Sequence, residues 1–414
     1  MTKEKSTVPR LRFPGFTDAW KQRKLGEVSK RVTRRNKELI SSLPLTISAQ
    51  HGLVDQEEFF NKQVASKDVS SYYLIKKGEF AYNKSYSNGY PWGAIKRLDR
   101  YEMGVLSTLY IVFKPTSLIC SDYLVSYYDT VNWYKEVSMI AAEGARNHGL
   151  LNIAPNDFFK TRLFIPTLPE QEAIGNFFSD LDQLITLHQR KLDDVKELKK
   201  ALLQKMFPKG NGNDFPELRF PEFTDAWKQR KLREVAEKIS QKNLDRQYVE
   251  TFTNSAEFGI ISQRDFFEKN ISSLDNISGY YIVSPDDFVY NPRISNLAPV
   301  GPIKRNKLGR VGVMSPLYTI FRFSDIHLDF VEKYFDTTIW HRYMELNGDS
   351  GARSDRFAIK DSVFKGLPIP LPTLPEQEAI GSFFSDLDQL ITLHQRQLDH
   401  LKLLKKALLQ QMFI

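Results

Sequence analysis

The sequence is almost free of cysteine, since Cys120 is the only one among 414 residues. A single cysteine excludes an internal disulfide and a metal cluster held by several thiolates, and it is typical of proteins kept in a reducing compartment. The chain also lacks any run of roughly 18 apolar residues, the length that a membrane span needs. No apolar stretch follows the charged segment MTKEKSTVPR, so a signal peptide is not expected. We therefore predict a cytoplasmic protein with no membrane partner.

Short catalytic motifs are missing as well. The sequence contains no glycine-rich phosphate-binding loop, no His-Glu-x-x-His and no Cys-x-x-Cys. A Ser-His-Asp triad leaves no trace in sequence spacing, because its members need only be neighbours in space. The residues thus give little support for catalysis.

Positive charge is in mild excess. Lys and Arg number 58 against 50 Asp and Glu, which gives a formal charge of +8 and a pI near 9.1. A basic chain favours an anionic partner, of which nucleic acid is the commonest, although balanced surfaces drift to either sign. With 41% hydrophobic residues, the chain is long enough for two or three domains with real cores.

The most prominent feature is a long repeat. Residues 167–207 return as residues 373–413 with only 6 of 41 positions changed. Each copy opens with Thr-Leu-Pro-Glu, which places an N-capping Thr three residues before a Glu and a proline in the first turn, as at a helix start. A stripe at steps of three, four or seven then marks one face of a helix: Leu181, Ile185, His188, Leu192, Val195 and Leu202, and in the second copy Leu387, Ile391, His394, Leu398, Leu401 and Leu408.

Such a helix would be on the order of 55 to 60 Å long at about 1.5 Å per residue, and it needs a partner to cover its apolar stripe. The other copy is the nearest partner, so we predict an antiparallel coiled-coil pair. His188 and His394 fall at the midpoints of the two stripes, where level helix ends would bring them together. Packed or hydrogen-bonded histidines that fix the register are expected there, with a metal-binding pair as the alternative.

The duplication extends beyond the helices. Residues 11–28, LRFPGFTDAWKQRKLGEV, recur as residues 218–235, LRFPEFTDAWKQRKLREV, so the chain is a tandem repeat of about 207 residues. Aromatic and β-branched segments predict strands at residues 72–75, 79–82 and 109–113 and at 280–283, 287–290 and 317–321. Helical patterns lie at 121–142 and 325–346. We predict an α+β fold with two pseudo-symmetric globular domains (1–166 and 215–372), two spacer helices (167–208 and 373–414) and a linker (209–214).

Two segments have diverged. Residues 29–70 and 236–278 show no clear match, although the helices that follow them are nearly identical. A constant scaffold with divergent segments suggests one protein that recognises two different targets. Neutral drift of loops is the alternative, because loops vary freely in any fold.

Basic and amide side chains among aromatic and glycine residues are the candidates for contact with DNA. Arg and Asn can each pair with a base edge through two hydrogen bonds, and Lys supplies charge for phosphates. Two glycine-led turns, Gly-Ala-Arg, can bring Arg close to DNA. The candidates are Lys84, Tyr86, Asn88, Lys96, Arg97, Arg146 and Asn147 in the first half and Arg293, Asn296, Lys304, Arg305, Arg353 and Ser354 in the second. For each of them a solvated or structural turn residue is the alternative.

The two halves end alike, with Ile-Pro-Thr-Leu-Pro-Glu-Gln-Glu and Leu-Pro-Thr-Leu-Pro-Glu-Gln-Glu ahead of the long helix, and both have Gly-Ala-Arg upstream. A duplicated chain with these motifs and two variable globular segments resembles, over its whole length, the specificity subunit of type I restriction-modification systems. The resemblance implies that each globular segment is a target-recognition domain for one half of a split sequence in double-stranded DNA. It also implies that the helices separate the half-sites and dock two methyltransferase subunits, and that restriction and translocase subunits join the full complex.

The resemblance further implies that this chain is not an enzyme and holds no cofactor, since S-adenosylmethionine, ATP and Mg2+ would bind partner subunits. Apolar residues on the outward faces of the helices are expected to be covered by methyltransferase helices. The predicted docking residues are Ile174, Phe177, Phe178, Ile380, Phe383 and Phe384. Two other classes stay open: a DNA-modifying enzyme with an unrecognised site, and a coiled-coil adapter that binds proteins but does not retain DNA.

Overall fold

The structure is a computed structural model that describes residues 7–48, 51–62, 64–87, 89–141, 149–209, 215–267, 276–349 and 355–414. The chain forms two compact units. The first unit is Met1–Gln189 with Arg396–Ile414, and the second unit is Arg190–Gln395. The boundaries between them fall in the middle of both long helices, so each unit contains one half of each helix.

The globular part of the first half, as far as it is described, combines short strands with short helices. The strands are β1 (Lys21–Lys24), β2 (Ser29–Val32), β3 (Leu45–Ser48), β4 (Gly52–Asp55), β5 (Tyr73–Lys76), β6 (Phe80–Asn83), β7 (Ala94–Arg97), β8 (Met103–Leu106), β9 (Ile111–Pro115) and β10 (Arg162–Ile165). The helices are α1 (Leu25–Val28), α2 (Gln56–Phe60), α3 (Ser121–Tyr128), α4 (Tyr134–Ile140) and α5 (Pro155–Phe158), followed by the long helix α6 (Leu168–Lys205).

The second half repeats this order. Its strands are β11 (Lys228–Lys231), β12 (Ala236–Ile239), β13 (Phe252–Ser255), β14 (Gly259–Ser262), β15 (Tyr281–Val283), β16 (Phe288–Tyr290), β17 (Ile303–Arg305), β18 (Gly312–Met314), β19 (Thr319–Phe323) and β20 (Pro368–Leu371). Its helices are α7 (Leu232–Val235), α8 (Gln263–Phe267), a 3-10 turn (Ile277–Gly279), α9 (Leu328–Phe335), α10 (His341–Asn347), α11 (Asp361–Phe364) and the long helix α12 (Leu374–Met412).

The predicted strands lie within about two residues of the observed ones, but each predicted helical stretch contains two helices. In the first unit α3 ends where the Thr130 hydroxyl donates to the carbonyl of Tyr127 at 2.7 Å, and α4 begins at Tyr134. The same threonine bond ends α9 at Thr337. A hydroxyl that competes for a helix carbonyl favours a turn over another helical residue.

Each unit is built on a four-stranded antiparallel sheet, in the order β2-β9-β6-β7 in the first unit and β12-β19-β16-β17 in the second. Neighbouring residues of a strand face opposite sides of the sheet. Phe80 and Tyr82 therefore pack against the helices, while Ala81 packs with the hairpin β3-β4 and the strand pair β5-β8 on the other face. The α+β prediction is confirmed.

The diverged segments fold alike where they are described. Residues 29–60 form a strand, a hairpin and a short helix, and residues 236–267 form the same three elements. The order and pairing of these elements are therefore the same in both halves although the residue types have changed.

The two long helices begin at the leucine that follows the predicted N-capping threonine. In the first unit the starting half of α6 runs antiparallel to the closing half of α12, since Phe178 meets Phe413 at a ring distance of 6.1 Å and Asp182 binds Lys405 at 2.7 Å. In the second unit the corresponding halves are linked by Lys199 and Asp388. The predicted antiparallel pairing is confirmed within each unit. Among the described residues no helix is long and apolar enough to cross a membrane.

A buried carboxylate fastens each long helix to the segment at the start of its half. Glu170 is fully buried and accepts hydrogen bonds from Arg12 at 2.6 and 2.7 Å and from the Trp20 indole at 3.4 Å. Next to it, the Gln171 side-chain oxygen accepts the backbone N–H of Cys120 at 2.9 Å. The second half repeats these bonds with Glu376, Arg219, Trp227, Gln377 and His327.

The first turns of the long helices pack on the globular part of their own half. A Cβ at Gly175 would lie 2.7 Å from the backbone nitrogen of Tyr123, and one at Gly381 would lie 2.7 Å from the His327 ring, so glycine permits a close approach at both places. The prediction that the first turns of the long helices present an outward-facing apolar surface is therefore wrong. The side chains that it would have offered to a partner are in the cores instead: Ile174, Phe178, Ile380 and Phe384.

Phe177 and Phe383 also belong to the globular contacts rather than to a free surface. Each is partly buried and meets another ring edge to face, Phe177 with Phe13 at 5.6 Å and Phe383 with Phe220 at 5.9 Å. The docking role of this pair stays a prediction, because each ring keeps only part of its surface exposed.

Replacing Arg12 with Met should destabilise the first unit, because the buried Glu170 carboxylate would lose its cation. Removing one partner of a buried ion pair costs about 3 to 5 kcal/mol. Arg219→Met should do the same in the second unit, whereas Arg10→Met, at an exposed position, should change stability by less than about 0.5 kcal/mol. Urea unfolding followed by circular dichroism checks this, and an Arg12→Met curve that overlays the Arg10→Met curve would rule out the anchor.

Candidate nucleic-acid interface

Four of the predicted DNA-binding cations are bound inside their own unit. On β7, Lys96 lies 2.7 Å from Asp129, and Arg97 lies 2.6 Å from Asp99 and 2.8 Å from Asp122. On β17 the same positions are Lys304 and Arg305, which bind Asp336, Asp286 and Asp329. DNA contact by Lys96, Arg97, Lys304 and Arg305 stays a prediction, and a phosphate would have to compete with the carboxylates of the fold that already compensate their charge.

Lys96 is part of a larger network that holds a long helix on the sheet. Asp129 also binds Lys405 of α12 at 2.8 Å, and Lys405 binds Asp182 of α6. Burial alone would raise the pKa of Asp129, but Lys96 and Lys405 outweigh it and hold that pKa below its usual range. In the second unit the equivalent network consists of Lys304, Asp336, Lys333, Asp388 and Lys199.

Five predicted residues lie outside the described part of the chain. They are Asn88, Arg146, Asn147, Arg353 and Ser354. Their contact with DNA stays a prediction.

The remaining predicted residues follow the third strand of each four-stranded sheet. After β6, Tyr86 is 61% exposed, while burial lowers the pKa of Lys84 and its amine lies 3.5 Å from the carbonyl of Ile153. After β16, Arg293 and Asn296 are both exposed. Tyr86, Arg293 and Asn296 are therefore free to meet a ligand, and Lys84 is the least accessible of the four.

Beside this loop, each unit exposes a pair of phenylalanines that the sequence analysis missed. Phe59 and Phe60 end α2, and Phe266 and Phe267 end α8. Exposed aromatic rings of this kind can stack on bases or insert between them. A signal was present: Gln-x-x-Phe-Phe occurs at residues 56–60 and again at 263–267, at the repeat distance, within segments that otherwise show no match.

In the second unit a cavity of about 660 Å³ lies between α8 and the loop after β16. Exposed side chains stand around it, four of them apolar and one cationic: Phe266, Phe267, Leu297, Leu317 and Arg293. The buried Asn254 and the half-buried Gln263 line it, and their side-chain oxygens have no hydrogen-bond partner. The combination of an apolar rim and unpaired polar groups is typical of a site that fixes the orientation of a ligand.

Besides the leucines at which they begin, the long helices expose three leucine positions in both copies. Because each unit takes half of each helix, these positions form an equivalent set in each unit. The sets are Leu184, Leu187 and Leu404 in the first unit and Leu390, Leu393 and Leu198 in the second. Repeated exposed apolar residues on a helix indicate a protein-binding surface, and none of the six was among the predicted docking residues.

No metal site stands out in the described ranges, where no three His, Cys, Asp or Glu side chains are grouped so that they could hold an ion.

Known proteins resemble this chain in sequence. A family model described as "Type I restriction modification DNA specificity domain" matches residues 224–403. The type I restriction enzyme MjaVIII specificity subunit of Methanocaldococcus jannaschii is 22% identical over 319 residues, covering 74% of this chain and 72% of the relative. The putative MjaX specificity subunit of the same organism is 26% identical over 304 residues, covering 69% of this chain and 65% of the relative.

Solved structures share the fold. The S subunit of a type I restriction-modification system from M. genitalium superposes with a TM-score of 0.56 at 13% identity, covering 98% of this chain and 99% of that chain. A chain from a structure of type I R-M complex assembly and conformational transition gives a TM-score of 0.50 at 18% identity, covering 95% and 97%.

Arg97 and Arg293 should respond differently to substitution. Arg97→Met should lower the stability of the first unit by about 1 kcal/mol, because its carboxylate partners are partly exposed, and should leave DNA affinity unchanged if Arg97 contacts only these carboxylates. Arg293→Ala should keep the fold and weaken duplex binding by about 1 to 3 kcal/mol if it contacts a base edge, or reduce the salt dependence by about one phosphate contact. Fluorescence anisotropy at several salt concentrations distinguishes these results, and normal binding by Arg293→Ala would remove it from the interface.

Proposed function

The chain belongs to the specificity subunits of type I restriction-modification systems, and we propose that each of its units reads one half of a split sequence in double-stranded DNA. The proposal rests on one observation: the two units place different side chains at the same point of the same scaffold. Ser85 of the first unit corresponds to Arg293 of the second, and Ile47 corresponds to Asn254. Side chains that differ in charge and hydrogen bonding are what two different base sequences require.

The subunit is not itself an enzyme. In the proposed complex, S-adenosylmethionine, ATP and Mg2+ bind the partner methyltransferase and restriction or translocase subunits. This chain recognises the DNA sequence at which they act. Because the proposed complex acts on DNA inside the cell, we propose that it lies in the cytoplasm.

Two methyltransferase subunits are the proposed partners of the exposed leucines. Each unit presents the same three positions on a helix pair of the same geometry, so two identical subunits would find two equivalent surfaces. The surrounding helix faces are charged, which suits an apolar contact with a polar rim.

Co-expression with the methyltransferase encoded beside this chain, followed by methylome sequencing, tests the proposed function. We expect methylation at one sequence made of two short halves separated by unread base pairs. Replacing residues 29–164 with a second copy of residues 236–370 should make both halves of the target the same. Methylation without a split target, or a split target that this exchange leaves unchanged, would refute the assignment of one half to each unit.

Replacing the exposed leucines of the long helices with aspartate should remove the methyltransferase subunits one at a time. Leu184→Asp with Leu187→Asp should remove one methyltransferase from the complex, and adding Leu390→Asp with Leu393→Asp should remove both. A buried leucine contributes about 1.5 to 3 kcal/mol, so losing two weakens docking by at least about 100-fold. Leu39→Asp, at an exposed leucine of the globular part, is the control. Light scattering after gel filtration gives the mass, and a complex of full mass for the fourfold variant would exclude this surface.

A further inference from the structure

The cavity of the second unit is lined by Asn254, whose side-chain oxygen accepts no hydrogen bond from the fold. Asn254 lies on β13 and is 2% exposed, and its side-chain nitrogen donates to the carbonyls of Val289 at 2.7 Å and Pro302 at 3.2 Å. These two bonds fix the carboxamide, so its oxygen cannot exchange places with the nitrogen. Asn254 lines the cavity, and its buried side-chain oxygen has no hydrogen-bond partner in the fold. A buried unpaired acceptor costs stability, which indicates a ligand or water that completes it.

The first unit does not share this feature. At the equivalent place in β3 stands Ile47, which is buried in the hydrophobic core behind the sheet. The neighbouring groups are kept: Gln56 and Gln263 both have an unpaired side-chain oxygen, and Thr46–Tyr110 and Thr253–Tyr318 are both hydroxyl pairs, at 3.2 and 3.1 Å. Asn254 is thus an added polar group in an otherwise repeated setting.

We propose that Asn254 is a specificity-determining residue of the second unit, and that its oxygen accepts a hydrogen bond from the exocyclic amino group of an adenine or a cytosine. The inference rests on the proposed function and adds to it the chemical class of one base. In the major groove only adenine and cytosine present an amino group, while guanine and thymine present acceptors there. A fixed acceptor therefore admits the first pair and repels the second.

The surroundings of Asn254 suit a base. The cavity volume of about 660 Å³ is within the range of about 300 to 1,000 Å³ that ligand pockets occupy. Phe266, Phe267, Leu297 and Leu317 stand exposed around it and offer apolar surface to base edges in the major groove, such as the methyl group of a neighbouring thymine. Arg293 can balance a nearby phosphate or bind a guanine beside the recognised base.

Base analogues test the proposal on the wild-type complex, once its target is known. Each adenine of the second half-site is replaced in turn with purine, and each cytosine with 2-pyrimidinone, so that only the amino group is lost. We expect one position at which binding weakens on the order of 10-fold, the usual effect of one hydrogen bond to a buried polar group. The same replacements in the first half-site act as controls for pairing strength. If no amino group of the second half-site matters beyond these controls, water alone completes Asn254 and the proposal is overturned.

A variant connects that position to the residue. Asn254→Ile copies the first unit, and in this variant the analogue at the sensitive position should bind as well as the natural base, so that the two losses are not additive. Methylome sequencing should show relaxed choice at that one position while the first half-site stays unchanged, which also proves that the complex is folded. Gln56→Met, which removes an unpaired acceptor from the first unit, should leave the second half-site as it was. Undiminished sensitivity to the analogue in Asn254→Ile would assign the contact to another residue.

The proposed function and the role of Asn254 can be refuted separately. A wild-type complex with no split target refutes the proposed function, whereas a split target without a sensitive amino group refutes only the role of Asn254.

Discussion

The two halves of the protein depend on a carboxylate that water does not reach. Glu170 and Glu376 are fully buried at the first turn of the long helices, and a buried charge is tolerated only when it is paired and hydrogen-bonded. Arg12 meets that need for Glu170 although it lies 158 residues away in sequence, and the opening segment of each half must therefore return to the start of its helix. The segments that have stayed alike, residues 11–28 with 218–235 and residues 167–207 with 373–413, are the ones that form this contact.

The exchange of helix halves ties the ends of the chain to its globular parts. The first unit includes Arg396–Ile414, where Phe413 meets Trp20 at a ring distance of 6.2 Å and Lys405 joins the carboxylates of Asp129 and Asp182. Neither unit is thus a continuous half of the sequence. Boundaries drawn along the chain separate pieces that pack together, because a long helix can leave one unit and enter the other without any turn or linker to mark the change.

The fold predictions came from the periodicity of apolar residues and from the capping and turn residues that mark the ends of helices and strands. The limits of these two signals explain the errors. The stripe of Leu181, Leu192 and their neighbours showed which helix face is covered, but a stripe does not say by what, so Ile174 and Phe178 were expected to meet a partner and instead lie in the core. Sequence patterns also did not show that Lys96 and Arg97 are paired with carboxylates, because those carboxylates come from residues further along the chain. Only the fold brings those charges together.

The candidate interface separates what is common to both units from what is individual. The phenylalanine pairs, the unpaired glutamines and the Thr–Tyr hydroxyl pairs recur in both, and contacts that recur unchanged cannot distinguish one sequence from another. Positions 47 and 254 differ, as do 85 and 293, and they lie on elements supported by the same sheet. A new target can then arise from few substitutions at this point, because the anchor at Glu170 and Glu376 fixes the scaffold at a distance from the residues that change. On the proposed function, divergence of residues 29–70 and 236–278 alters the DNA readout and leaves the nearly identical long helices as they were.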